Sequence, residues 1–309
     1  MRASSGKSRT RRLAALQWLL LAVAGALAVP IANATTMCTA LSDAATGRLL
    51  RQEGSCAERV TPASTFKIAL SLMGYDSGYL TDEHLPALPF HEGYLDYIPS
   101  WKATTDPTTW IRNSVVWYSQ QLTEWLGEER FRHYVEAFHY GNADVSGDPA
   151  KHDGLTHSWL SSSLKISPLE QLQFLHRLVT RQLPVSARAY ELTSRITTVG
   201  ELPGGWEVHG KSGNGARVNA DGTVDHTRQI GWFVGWASKG ERVFAFARCI
   251  QDDEPQPESV TKRAREGMLR DLPGLLESQS SWPRRRQPSR SSRTPCAAAR
   301  AGSGSARPP

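Results

Sequence analysis

The 309-residue sequence has little cysteine and no arrangement of it that would hold a metal. Its four cysteines, Cys38, Cys56, Cys249 and Cys296, and its nine histidines fall into none of the short Cys/His spacings of a zinc site. Gly-x-Gly-x-x-Gly and Walker patterns are also missing, so no loop reads as a cradle for a dinucleotide or a nucleotide phosphate. No internal repeat is present. Acidic side chains are absent from both ends: residues 1–34 carry five positive charges and residues 278–309 carry seven. The formal net charge of +6 therefore belongs to the ends, and the body between them, 35–277, carries −6. That balance gives no reason to expect a nucleic-acid partner.

The one long apolar run lies at the start. Arg2, Lys7, Arg9, Arg11 and Arg12 precede a stretch from Leu13 to Ile31 whose only strongly polar side chain is Gln17, and Ala32-Asn33-Ala34 follows. A basic segment, an apolar run and a small-x-small triplet read as a signal peptide cut after Ala34. The mature protein is then expected to be exported to the periplasm and free of the membrane. From Ser278 onward the chain is mostly Ser, Pro, Arg, Ala and Gly with a single aromatic, Trp282. Such a segment buries too little apolar surface to fold and reads as a disordered basic tail. In an exported chain a Cys38–Cys56 bridge around a hairpin is plausible and would contribute ~3 kcal/mol in the chain-entropy model. Cys249 sits in an apolar strand and reads as a small buried side chain.

The body divides by texture. Residues 36–42 and 48–52, joined by Asp43-Ala44-Ala45-Thr46-Gly47, predict a hairpin, and Pro62 opens a helix with apolar spacing. After a loop over 74–105, Asp106-Pro107 supplies an N-cap and first-turn proline. Helical spacing follows over 107–126, 128–138, 168–181 and 187–198. Three strands are expected at 206–213, 229–237 and 242–250, with a hairpin turn at 238–241 and a closing helix over 258–276. The pattern predicts an α+β fold: an antiparallel sheet flanked by helices, with an all-helical lobe inserted at roughly 100–200. A small-molecule site is expected in the cleft between lobe and sheet.

Several residue sets carry chemistry. Ser64 and Lys67 are three apart, so both lie on one face of the helix after Pro62, close to unpaired backbone N–H groups. Lys67 has Ala63, Leu70 and Ser71 as helix-face neighbours and no nearby acid, which favours loss of its proton on burial. Ser-x-x-Lys is short, and a capping serine with a surface lysine gives the same pattern. Ser114 interrupts an apolar series, Trp110, Tyr118, Leu122 and Trp125, and reads either as a buried hydroxyl needing a partner or as one bonded to its own helix. Lys211-Ser212-Gly213 ends a strand pattern, where a glycine admits close approach and lysine with serine can hold a carboxylate; an edge lysine is the plainer reading. Trp159 brings an indole donor. Tyr140-Gly141-Asn142 reads as a helix stop and turn.

Taken together and in order, Ser64-x-x-Lys67, Ser114-x-Val116, Tyr140-Gly141-Asn142, Trp159 and Lys211-Ser212-Gly213 resemble the class D serine β-lactamases over about 36–276. Related penicillin-binding transpeptidases usually carry Asn where this chain has Val116. The resemblance implies a β-lactam substrate, acylation of Ser64, and Lys67 in an N-carboxylated form as general base, with no metal or other cofactor. It implies that Trp159 donates to the carbamate, Val116 keeps water off Lys67, and Ser114 relays a proton to the lactam nitrogen. Lys211 and Ser212 would bind the substrate carboxylate beside Gly213, and the N–H groups of Ser64 and Asn214 would form the oxyanion hole. Serine at 212 stands where threonine is commoner. The family's carboxylate-binding arginine could correspond to Thr261, Lys262 or Arg263. The expectation is an exported β-lactamase, monomeric or homodimeric, acting on penicillins and on oxacillin-like or cephalosporin substrates. The alternatives are a D-Ala-D-Ala transpeptidase or carboxypeptidase, or a non-hydrolytic β-lactam sensor domain.

Overall fold

A computed structural model describes residues 35–149 and 151–278. The expected leader, the tail beyond Ser278 and Cys296 lie outside the described residues. β1 (Thr35–Asp43) and β2 (Leu49–Gly54) form the expected hairpin. With β3 (Thr198–Leu202), β4 (Trp206–Val218), β5 (Val224–Lys239) and β6 (Arg242–Gln251) they make one six-stranded sheet in the order β2-β1-β6-β5-β4-β3. Every pairing in it is antiparallel. Helices α1 (Lys67–Ser77), α2 (Pro107–Asn113), α3 (Val116–Leu126), α4 (Glu128–Ala137), α5 (Gly154–His157), α6 (Pro168–Val179) and α7 (Ala187–Ile196) lie between β2 and β3, and α8 (Val260–Ser278) closes the chain. No helix of the described residues is long and apolar enough to cross a membrane.

Period-two alternation explains how the sheet is covered. On β5, Trp232, Val234 and Trp236 face the helical lobe. Phe233 and Ala237 point the other way and pack with Trp206, Val208, Phe246, Met268 and Leu272 against α8. A strand buried on both faces must be apolar on both, which is why β5 reads as a nearly continuous hydrophobic run. α1 is likewise buried on every side from Lys67 to Tyr75, and a helix placed there tolerates a charge only if that charge has a use or a partner.

Helix starts follow local chemistry. Asp106 accepts from Thr109 N at 2.7 Å while Thr109 Oγ1 accepts from Asp106 N at 2.8 Å, a reciprocal cap over Pro107. Ser167 and Glu170 do the same over Pro168 at the head of α6, each cap contributing on the order of 1 kcal/mol. The Cys38–Cys56 disulfide is formed, and Cys249 is a buried free thiol with its Sγ 3.9 Å from Met37 Sδ.

Two expectations fail locally. The single helix over 107–126 is two helices, because Ser114 adopts φ 59° and ends α2. The Asn113 carbonyl leaves the helical ladder to accept from Trp101 Nε1 at 2.9 Å. The Trp110 and Tyr118 rings still meet, tilted, at 5.4 Å across the break, whereas Trp125, expected on the same stripe, is 45% exposed. The helix expected over 187–198 stops at Ile196, and β3 follows at once, pairing Thr198 with His209.

Candidate active site

The chain enters α1 through a 3-10 turn, Ala63–Phe66, and not through the first α-helical turn. Ala63 takes φ 47° although it is not glycine, a conformation that only surrounding structure can hold. Part of that hold is local: Thr65 N and Thr65 Oγ1 both donate to Pro62 O, at 3.1 and 2.7 Å. Ser64 emerges from this turn. Lys67 Nζ donates to Ser64 Oγ at 3.2 Å, so the one-turn spacing brings the two groups into contact. Lys67 is wholly buried, and no carboxylate pairs with it among the described residues. Burial holds its amine well below the usual lysine range, and the neighbouring charge of Lys211 adds to the effect.

Trp159 is completely buried two residues after α5, and its indole Nε1 has no hydrogen-bond partner among the described residues. Its ring lies 5.8 Å from Phe66, the residue before Lys67, and 6.2 Å from Phe131. Thr61 ties these parts together, although its sequence context gave no sign of it. Its hydroxyl donates to Trp159 O at 2.9 Å and accepts from Ser161 N at 2.9 Å, while its carbonyl accepts from Trp232 Nε1 at 2.9 Å. The turn bearing Ser64, the loop bearing Trp159 and the central strand therefore share one side chain and its backbone.

Tyr140-Gly141-Asn142 does more than end a helix. Asn142 Nδ2 donates to Ser163 O at 2.8 Å and its Oδ1 accepts from Lys165 N at 2.9 Å, stapling both ends of the segment after Trp159. A Cβ on Gly141 would sit 2.0 Å from Lys165 O, and its φ is 57°. Gln171 Nε2 donates to Thr65 Oγ1 at 3.0 Å and to the Tyr140 hydroxyl at 3.3 Å, linking this staple to the nucleophile turn. Burial raises the Tyr140 phenol above its ordinary range, so it stays neutral.

β4 forms the opposite wall. A Cβ on Gly213 would lie 3.0 Å from Pro62 O and 3.1 Å from Thr65 N, so the strand backbone presses against the Ser64 turn. Lys211 is buried, donates to Ser212 O at 3.0 Å, and is lowered to about 7 by burial and by the charge of Arg265. Ser212 is half-buried opposite Phe233, and Asn214 is exposed opposite Gly231. Ser114 is half-buried at the α2/α3 junction, and Val116 is buried in the first turn of α3. No hydrogen bond joins Ser114 to Ser64 or Lys67 among the described residues.

A half-buried serine in contact with a buried lysine, beside a second buried lysine, is an arrangement able to activate a serine hydroxyl. Residues 37–272 match the penicillin binding protein transpeptidase domain. β-Lactamase OXA-9 of Klebsiella pneumoniae is 47% identical over 246 residues, which cover 78% of this chain and 89% of that protein. The chain belongs to the class D β-lactamase family. β-Lactamase OXA-1 of Escherichia coli is 36% identical over 72% of this chain and 79% of its own length. The crystal structure of the OXA-427 class D β-lactamase superposes with a TM-score of 0.75 at 50% identity, covering 78% of this chain and 98% of that one.

Within the class D pattern, the three residues left open at the head of α8 now separate. Arg263 is bidentate to the buried Asp252 at 2.5 Å, and Lys262 pairs with Glu258 at 2.7 Å. Thr261 Oγ1 donates to Gly213 O at 3.1 Å. It reaches β4 because Gly231 has no side chain: a Cβ there would be 2.5 Å from Val260 O.

The buried lysines are expected to shape how the stability of this β-lactamase depends on alkaline pH. In carbonate-free buffer the unfolded chain keeps both lysine protons up to about pH 10.4, whereas the fold releases that of Lys211 from about 7. Stability should therefore rise with pH above 7, by up to roughly 1.4 kcal/mol per unit for each such group. Tyr75, Tyr118 and Tyr140 have the opposite sign, because burial raises them and the unfolded chain deprotonates first. The thermal midpoint is expected to peak between about pH 9 and 10; a midpoint falling steadily from pH 7 to 9 would contradict this assignment.

Proposed function

We propose that this protein hydrolyses β-lactam antibiotics through an acyl-enzyme on Ser64, with Lys67 as the general base, and that it works after export with residues 1–34 removed. The observation that carries the reading is the Lys67 amine, entirely buried, without an acid partner among the described residues and 3.2 Å from Ser64 Oγ. The Cys38–Cys56 bridge suits an oxidising compartment.

The residues present also suit N-carboxylation of Lys67. A depressed amine is the nucleophilic form needed to take up carbon dioxide, and the unpartnered, buried Nε1 of Trp159 is a donor in want of an acceptor. Bound there, carbon dioxide supplies an anionic oxygen able to hold a proton, and Lys67 and Trp159 are the residues that would hold it. Ser64 Oγ loses its proton on the Lys67 side and bonds to the lactam carbonyl carbon. The N–H groups of Ser64 and Asn214 stabilise the oxyanion. As the C–N bond breaks, the Ser114 hydroxyl passes a proton to the departing nitrogen, and Lys211 steadies the developing charge. Lys211 and Ser212 receive the substrate carboxylate, and Val116 limits water around Lys67. Water then releases the acyl group from Ser64.

Purified protein should turn over a chromogenic cephalosporin, and Ser64→Ala should lower that rate by at least about ten-thousandfold. Turnover surviving the substitution would end the proposal. A transpeptidase or sensor would instead hold the acyl group on Ser64 for hours in mass spectra.

A further inference from the structure

We propose that Ser161 is a positioning residue: its hydroxyl fixes the end of β4 that carries the Asn214 N–H, and so holds the oxyanion hole in shape. The inference rests on the reading above, which gives that N–H its use, and adds the group that aims it. β4 pairs with β3 only as far as His209, and Gly210 N donates to Thr197 O on that side at 2.9 Å. N–H groups two residues apart point to the same edge of an antiparallel strand, and the β4/β5 register is unbroken from Glu207 to Ala216. The N–H groups of Ser212, Asn214 and Ala216 therefore face the same edge as that of Gly210, past the reach of β3.

Ala216 N does not stay free, because it donates to Ser161 Oγ at 2.9 Å. The register with β5 shifts immediately afterwards, between Ala216 and Arg217, so the ladder stops fixing the strand where Ser161 takes hold of it. Ser161 is itself held. Its N–H donates to Thr61 Oγ1 at 2.9 Å, and its φ is 57°, a left-handed conformation that the surrounding contacts must maintain. Gly215 admits the approach: a Cβ there would lie 2.5 Å from Thr61 Cγ2, 3.4 Å from Ser161 Oγ and 3.5 Å from Ala63 Cβ. The strand end, the tryptophan loop and the turn before Ser64 thus meet beside Asn214. The two proposed oxyanion donors, on Ser64 and Asn214, sit on segments that Thr61 and Ser161 lock together.

The test uses the purified enzyme, a chromogenic cephalosporin and phenylboronic acid, which adds to a serine as a tetrahedral mimic of the transition state. Ser161→Gly removes the hydroxyl and leaves the left-handed backbone unstrained. It is expected to lower kcat about tenfold and to weaken the boronate by a similar factor, with KM within about twofold. Ser161→Asn, which also tolerates the left-handed region and carries an acceptor oxygen, should recover part of both losses. The loss in Ser161→Gly should persist in excess bicarbonate. A lower thermal midpoint with kcat and boronate affinity unmoved would make Ser161 a structural clip alone, and recovery by bicarbonate would place its effect at Trp159. Either result overturns the assignment and leaves the hydrolase reading intact. Failure of the unaltered enzyme to open the cephalosporin would overturn both.

Discussion

Lys67→Ala is expected to reduce kcat/KM for penicillins by about a thousandfold or more, and to turn the residual reaction into a trap. The alanine protein keeps Ser64, the β4 backbone and the N–H groups proposed to polarise the lactam, so slow attack on the strained ring remains possible. On the proposed mechanism it loses the group that takes the serine proton and activates water against the ester. Acyl-Ser64 should then accumulate, seen in intact-protein mass spectra as a gain equal to the whole antibiotic, because ring opening expels nothing. Stability should move the other way. Lys67 is a wholly buried amine whose charged form is disfavoured by burial and by Lys211, and removing it relieves a desolvation cost while leaving a small cavity. A higher thermal midpoint combined with lost turnover would mark Lys67 as a residue kept for chemistry. Activity within tenfold of the unaltered enzyme would remove it from the base role, whatever the stability.

Much of the fold was legible because local and tertiary preferences agree. Asp106-Pro107 announces a helix start through a cap closed within three residues, and the hairpin turn at 43–47 and the apolar run of β5 need no distant partner to be read. The errors lie where distant contacts decide. Ser114 breaks its helix through a left-handed φ, yet the apolar residues on either side remain in phase, so the periodicity hides the break. β3 is short and exposed, with Gly200 at φ 141°, and nothing in its pattern separates it from the helix before it. The site was legible in the same uneven way. The contact between Ser64 and Lys67 follows from helix geometry alone. Thr61 and Asn142 could not be found so, since their partners, among them Trp159, Ser163 and Lys165, lie about 20 to 100 residues away. An asparagine after a tight glycine turn offers both donor and acceptor, and that pair was the one available hint of a staple. The head of α8 was ambiguous for a related reason. Three adjacent polar residues differ only in what each meets, and Asp252, Glu258 and Gly213 decide among them.

Trp159→Phe separates a structural tryptophan from a functional one by the sign of its effects. The substitution retains an aromatic ring against Phe66 and Phe131 and deletes a buried N–H that has no partner among the described residues. In carbonate-free buffer nothing is lost with that donor, and an uncompensated desolvation penalty is removed, so the thermal midpoint should hold or rise. Activity should nonetheless fall by about a hundredfold, the factor expected when a charged acceptor loses a buried donor. Bicarbonate connects the two results. A ligand that binds only the folded chain stabilises it by mass action, so added bicarbonate should raise the midpoint of the unaltered enzyme. In Trp159→Phe the same gain should need bicarbonate in excess, and that excess should restore part of the turnover. Carbon-13 spectra with labelled bicarbonate give a readout independent of catalysis: a carbamate signal in the unaltered protein, a weakened one in Trp159→Phe and none in Lys67→Ala. A phenylalanine variant with full activity and an undiminished carbamate signal would show that the orphaned indole serves packing alone, and the role of Trp159 would have to be withdrawn while that of Lys67 stood.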